Sequence, residues 1–401
     1  MSLRLDEFHV SETFGFVLEN PLAALPDYFE PWNQLAREMP ELVAQDKMRQ
    51  EVDKMPLLEW TNLSGHREKR LAHFQLTIIA SGYVWQHGDS GASKSIPACV
   101  AVPLYHVSEE LGLQPILGHP GLALANWARI NPNGPVSLEN LRCLYHLPGG
   151  KESEWFFIVT TMIELTFAQC IKSILSGVHG TQSGDEGVVL ASLQHITDTV
   201  KQMKVVLSHM HDKLSADTFF NIIRPYLGGW GGENNPLPHG LVYEGVSDQP
   251  IQAIGGSAAQ STTLQALDAL LGVEHADVEK KNFLLKMRSY MPPDHCRFVE
   301  AIENQPKKLR DFVFSSKNKE LQTVYNACVS AIVDFRSYHI QIVTKYIVQA
   351  SAKAKQAEGK RFESLDKKGT GGTSIMPFLK TLRDDTRNQC IPTGISENGD
   401  Q

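Results

Sequence analysis

The chain has 401 residues, 42% hydrophobic and 21% charged, and its 38 basic and 45 acidic side chains leave a formal charge of −7. That composition fits a globular protein with a core large enough for two domains. No basic stripe stands out, so neither nucleic acid nor an anionic membrane surface is an expected partner.

Cysteine usage adds a second limit. Cys99, Cys143, Cys170, Cys296, Cys328 and Cys390 form no C-x-x-C pair, which argues against zinc ribbons and thioredoxin-type redox chemistry and fits a reducing compartment. The first residues lack the apolar run of a signal peptide, and no stretch approaches the roughly 18 consecutive apolar residues of a membrane span. A cytoplasmic protein is expected.

Residues 1 to about 60 carry Pro21, Pro26, Pro31, Pro40 and Pro56. Prolines at that density allow only short helices and turns. A helix is predicted over 66–86, with Leu71, Phe74, Gln75, Ile78, Ile79, Gly82 and Trp85 on one face and Ser64 as its N-cap. Residues 97–115 read as short apolar pieces and 122–129 as a short helix. Turn clusters follow at Asn131–Pro135 and Pro148–Gly150.

From there the pattern is helical. Residues 154–176 are apolar nearly all round, the mark of a buried helix, and Glu164 inside them needs a partner or a water-filled cavity. Residues 179–187 are glycine-rich and read as a loop, 188–214 as an amphipathic helix, and 216–227 as a shorter one capped by Ser215. Gly228 to Gly232 begin an irregular connection. Helices are then predicted to Leu271, over 280–290, over 293–304, from Asn318 to about Lys355, and over 375–388. The signal is mostly α, with any strands confined to the first 150 residues.

Chemistry is concentrated in few places. Cys328, Ile332, Phe335, His339, Ile342, Val343 and Tyr346 recur at helical spacing, so His339 sits within an apolar face with Arg336 one turn before it. Such a histidine is either a core residue satisfied locally or an axial metal ligand. Gly255-Gly-Ser-Ala-Ala-Gln260 lacks the lysine and spacing of a phosphate loop, and is either a helix cap or a place where a flat ligand approaches the backbone. Phe219 to Arg224 place an arginine beside aromatics, where it would suit a carboxylate. On composition alone that arginine faces solvent. Gly369-Thr-Gly-Gly-Thr373, after a charged stretch, is either a linker or a lid.

Taken together the segments resemble one family. Arg336 to Tyr346, Gly255 to Gln260, Gly240-Leu-Val-Tyr-Glu-Gly245, Tyr290-Met-Pro-Pro293 and Gly369 to Thr373 occur in the order seen in indoleamine 2,3-dioxygenases, as do Leu25-Pro-Asp-Tyr28 and Leu124-Ala-Asn-Trp127. The resemblance runs from about residue 8 to residue 388. It implies a small N-terminal domain over 1–147 and a large all-helical haem-binding domain over 148–401, with a mobile loop near 353–372. It implies haem b, with His339 as the iron ligand and Arg336, Asp268 and Gly256 near the cofactor. Phe156, Phe219, Arg224, Ser257, Ala258 and Thr370 would bind substrate, and Thr160 and Thr370 would take part in catalysis.

The reaction implied is insertion of dioxygen across the indole C2–C3 bond of L-tryptophan to give N-formylkynurenine, in a monomer supplied by an electron donor. The family also includes molluscan oxygen-storage myoglobins. Residues 26–33, 69–75 and 81–86 resemble those members, whereas Gly369 to Thr373 and Thr160 resemble the enzymes. Relative to mammalian members, Thr160 stands in place of serine, His119 and Leu122 in place of tyrosine and cysteine, and Ala259 in place of glycine.

Overall fold

Proline density does not prevent a long helix near the N-terminus. In the structure, a computed structural model that describes residues 3–354 and 375–392, Glu30–Ala44 is one continuous α-helix. Pro31 lies in its first turn, where a missing N–H costs no helical hydrogen bond. Pro40 lies inside it, and burial of Trp32, Leu35, Ala36, Met39 and Val43 on one face outweighs the lost bond. The same correction applies to Ala98–Leu111, a helix that contains Pro103 where short pieces were expected.

Gly65–Trp85 is the spine of this half and is buried along most of its length. It packs on both Glu30–Ala44 and Ala98–Leu111. A Cβ at Gly82 would lie 2.8 Å from Met39 Cγ, so a side chain at that crossing would force Met39 to move. Ser64 sits at the N-cap position, but its side chain makes no capping bond; its backbone N–H instead donates to Glu68 Oε2 at 2.7 Å. Gln75, polar on the apolar face, donates to Asn33 Oδ1 at 2.8 Å and to the Tyr145 hydroxyl at 2.6 Å. Asn33 in turn accepts from Leu25 N–H at 2.9 Å and ties the preceding loop to this helix.

The second half is helix on helix. Gly150–Phe167 passes through a tight turn, Ala168–Cys170, into Ile171–Ser183. The loop expected over 179–187 is mostly helix: one left-handed residue, Gly184 at φ 81°, reverses the chain, and Asp185 caps Glu186–Ser208. Gly150 to Ser183 are together long and apolar enough to cross a membrane, yet most of their most apolar window is buried inside the protein. Lys319–Val343 lies against Glu186–Ser208 and Ile375–Arg387. Asn318 caps it by accepting from Leu321 N–H at 3.1 Å.

Strands are few and not confined to the first 150 residues. Ser95–Ile96 pairs in parallel with Leu241–Tyr243, which pairs antiparallel with Ser247–Ile251. A shorter ladder joins Ala128–Arg129 to Leu141–Arg142, so the chain at 122–129 ends as a strand, with the helical turn earlier, at His119–Leu122. Among the described residues one apolar cluster runs from Phe8 to Ile391, continuous across residue 147. The fold is mostly α.

Candidate functional site

The long helix Lys319–Val343 turns one face toward a cavity of about 280 Å³. Phe335, His339, Ile342, Val343 and Tyr346 line it at the spacing read from the sequence. His339 is half-buried, and the surface it keeps faces this cavity. Neither ring nitrogen makes a hydrogen bond among the described residues. Burial, and secondarily the charge of Arg336, lower its pKa to about 4, so the imidazole is neutral and carries a free lone pair at neutral pH.

Helix Gly150–Phe167 supplies a second wall. Phe156, Thr160 and Glu164 follow one another at intervals of four along it. Thr160 Oγ1 donates to the Phe156 carbonyl at 2.8 Å, so its proton is committed to the helix and its oxygen remains an acceptor. Phe156 meets Phe219 at 4.9 Å between ring centroids. Phe219 begins a π-helical turn, Phe219–Ile223, after which Arg224–Leu227 tightens into a 3-10 turn. A second π turn, Thr344–Gln349, follows the His339 helix and packs on the first. Wide turns of this kind gather at functional sites.

Arg224 does not face solvent: it is 1% exposed, lines the cavity, and lies 5.2 Å from the Phe220 ring centroid. Burial among aromatics holds the guanidinium in place. Gly256, Ser257 and Ala258 form a third wall. Ser257 and Gln260 make a reciprocal capping box at the start of the turn Ala258–Gln260, which settles the local backbone as a cap that also faces the cavity. A Cβ on neighbouring Gly255 would lie 2.0 Å from the Leu227 carbonyl oxygen, so only glycine lets the turn pass there.

Arg336 and Asp268 lie behind His339 rather than in the wall. Arg336 Nη2 donates to Asp268 Oδ2 at 2.6 Å, and Nη1 donates to the Leu382 carbonyl and to Thr386 Oγ1, each at 2.6 Å. Burial works to raise the Asp268 carboxyl; the charge of Arg336 and a bond from His275 prevail and hold it below the usual range. The site residue expected at Thr370, and most of the expected loop over 353–372, lie outside the described residues.

Sequence reasoning missed some of the wall. Met203, Leu207, Met210 and Leu214 line it, as do Ile375, Phe378 and Leu379 of the last helix. Their only signal was amphipathic spacing, which looks the same for any core. His211 was also missed: its ring stacks on Tyr346 at 5.5 Å and its Nδ1 lies 3.0 Å from the Tyr346 hydroxyl. The partner that Glu164 required is His119, whose Nε2 lies 2.9 Å from Glu164 Oε1; Ser261 and Thr263 donate hydroxyl protons to the same carboxylate.

Among the described residues no three His, Cys, Asp or Glu side chains could hold a bare metal ion. A metal carried in a macrocycle needs only one axial donor from the protein, and a neutral histidine on a large apolar cavity meets that need. Site and fold thus fit a helical haem protein, the neutral His339 being a donor of the kind such a group needs.

The comparisons agree. The indoleamine 2,3-dioxygenase family model matches residues 4–389. A myoglobin of Haliotis madaka is 44% identical over 96% of this chain and 98% of that protein. Human indoleamine 2,3-dioxygenase 2 is 41% identical over 96% of this chain and 95% of its own. Indoleamine 2,3-dioxygenase 1 of Rattus norvegicus is 41% identical over 96% of each. The chain belongs to the indoleamine 2,3-dioxygenase family, and haem is its cofactor.

Proposed function

We propose that this protein is a haem-dependent dioxygenase that converts L-tryptophan and dioxygen to N-formylkynurenine. The observation that carries the reading is Arg224, a buried cation beside aromatic rings in the wall of the cavity that also contains His339. Storage of a neutral diatomic needs no cation there, whereas an amino acid substrate does. Haem supplies dioxygen activation when bound.

The protein's own part is placement. Arg224 receives the substrate carboxylate. Phe156 and Phe219 flank the indole and exclude water from it. Thr160 Oγ1 offers an acceptor to the indole N–H. Ser257 and Ala258 close the cavity from the side of the small-residue turn. Thr370 is proposed to reach the substrate ammonium from the loop.

A second reading has its own support. Two Haliotis proteins that are 44% and 43% identical to this chain are named myoglobin, which favours oxygen storage without turnover. The test is to reduce the haem-loaded protein, add L-tryptophan in air, and follow N-formylkynurenine by absorbance. Product formation that depends on tryptophan supports the dioxygenase. A stable oxygenated spectrum without product at millimolar tryptophan refutes it and leaves storage.

A further inference from the structure

The last helix, Ile375–Arg387, brings Ile375, Phe378 and Leu379 into the cavity wall, and one histidine outside the cavity fastens it. Asp385 lies two turns beyond Phe378 on that helix. His275 Nδ1 is 2.9 Å from Asp385 Oδ2, and its Nε2 is 3.8 Å from Asp268 Oδ2. The same Asp268 oxygen accepts from Arg336 Nη2 at 2.6 Å. All four side chains are largely buried: His275 and Asp268 are 10% exposed, Asp385 13% and Arg336 7%. Among the described residues the other ion pairs of this helix, Arg383 and Arg387 with Asp384, stay within it. His275 thus supplies the ionic tie between the last helix and the segment that follows Thr262–Leu271.

The arrangement selects the charged form of the ring. A carboxylate only accepts, so Nδ1 donates to Asp385. A neutral ring would then turn a lone pair at Nε2 toward the Asp268 carboxylate, whereas an imidazolium turns a proton toward it. The charge count agrees. With His275 protonated, two carboxylates face two cations; with it neutral, one buried carboxylate is left uncompensated. Burial works to lower the pKa of His275; Asp268 and then Asp385 prevail and raise it above the ordinary value. Arg336, on the long helix, opposes them but is itself engaged by Asp268. The other charges of the adjoining elements have partners of their own: Lys280 bonds Asp277 and Thr381, and Arg310 bonds the Gln389 carbonyl. Glu274, beside His275 in the chain, is exposed.

We propose that His275 is a positioning residue that clasps the last helix to the Asp268–Arg336 pair behind His339, so that the firmness of this cavity wall, and with it the retention of haem, falls as the solution becomes alkaline. The sign follows from linkage. A histidine whose pKa is raised by folding stabilises fully below its unfolded value, about 6.5, and the contribution is lost as pH rises through the folded value. The clasp acts on the wall alone, so it serves a dioxygenase and an oxygen store alike.

The experiment is haem transfer from the oxidised, haem-loaded protein to an excess of globin-fold apomyoglobin, followed by absorbance at about pH 6 and about pH 9. The quantity read is the rate of His275→Gln, and separately of Asp385→Asn, relative to the wild type at the same pH. Glutamine keeps a donor for Asp385 but cannot take the charge. One charge-assisted hydrogen bond predicts a ratio of roughly tenfold at about pH 6 that falls toward one at about pH 9. Hydrogen exchange of the Ile375–Arg387 amides, read as the same ratio, should follow it. A ratio near one at both pH values overturns the clasp, because the contact then holds nothing. A ratio equally large at both also overturns it, because the residue then acts by packing rather than by charge. No turnover is involved, so either failure leaves the proposed function standing.

Discussion

Removal of the carboxylate behind His339 gives the most demanding test of the site's support. Asp268 and Arg336 form a buried ion pair, their side chains 10% and 7% exposed. In Asp268→Ala the guanidinium keeps only neutral acceptors, the Leu382 carbonyl and Thr386 Oγ1. Breaking a buried pair from one side costs about 3–5 kcal/mol because the remaining charge is uncompensated. Two retained acceptors place this case near the lower end, about 3 kcal/mol. Asp268→Asn keeps an acceptor and loses only the charge, for about 1–2 kcal/mol.

The ordering, alanine worse than asparagine, is the signature. Urea unfolding followed by tryptophan fluorescence measures it, and haem absorbance reports the second consequence. Arg336 is one turn from His339 and also holds the last helix through Leu382 and Thr386, so the alanine variant should release haem faster. Variants within about 1 kcal/mol of the parent and of each other would show that the pair holds nothing in place.

Further expectations are more direct. His339→Ala should purify without a haem spectrum, and a variant with the normal spectrum refutes the ligand assignment. Arg224→Leu should lower kcat/KM for L-tryptophan by roughly 100-fold while affecting tryptamine, which has no carboxylate, far less; equal losses would remove the carboxylate role.

Acid should destabilise the fold in a defined window. Burial lowers His73 from 6.5 to about 4 and His295 from 6.5 to about 3, and both are neutral in the folded chain. The unfolded chain binds protons near pH 6.5 and the folded chain does not, so stability is full above that pH. It should fall by on the order of 3 kcal/mol per histidine as the pH drops toward 4. Unfolding free energies measured between pH 7 and pH 4 that stay flat would contradict the buried neutral assignment.

Much of the site was legible in the sequence because it lies on long regular helices. The face Phe335, His339, Ile342, Val343, Tyr346 follows from spacing alone and is the face that meets the cavity. Glu164 announced a partner because an acid inside an apolar helix needs one, but the partner, His119, lies on another segment and no local pattern links the two. Arg224 was misjudged on composition, since burial of a cation depends on what folds over it. Proline counting failed for Glu30–Ala44 and Ala98–Leu111 because tertiary burial overrides local propensity. The strands after residue 240 escaped notice because they are short, and one of them, Leu241–Tyr243, takes a partner from Ser95–Ile96, far away in the chain.

The π turn at Phe219–Ile223 makes the reading frame of this wall a structural quantity. Each residue advances an α-helix by about 100°, and a π turn accommodates one residue more than an α turn at the same height. Deletion of a single residue between Phe219 and Ile223 would let the segment relax to ordinary helix and leave Arg224 at nearly the same angle around the axis, whereas the same deletion in ordinary helix would turn it by about 100°. The chain through this turn can thus change in length by one residue without moving the arginine out of the wall. Two chains that differ by one residue in this turn would then seem to differ at position 224 while presenting the same arginine to the cavity.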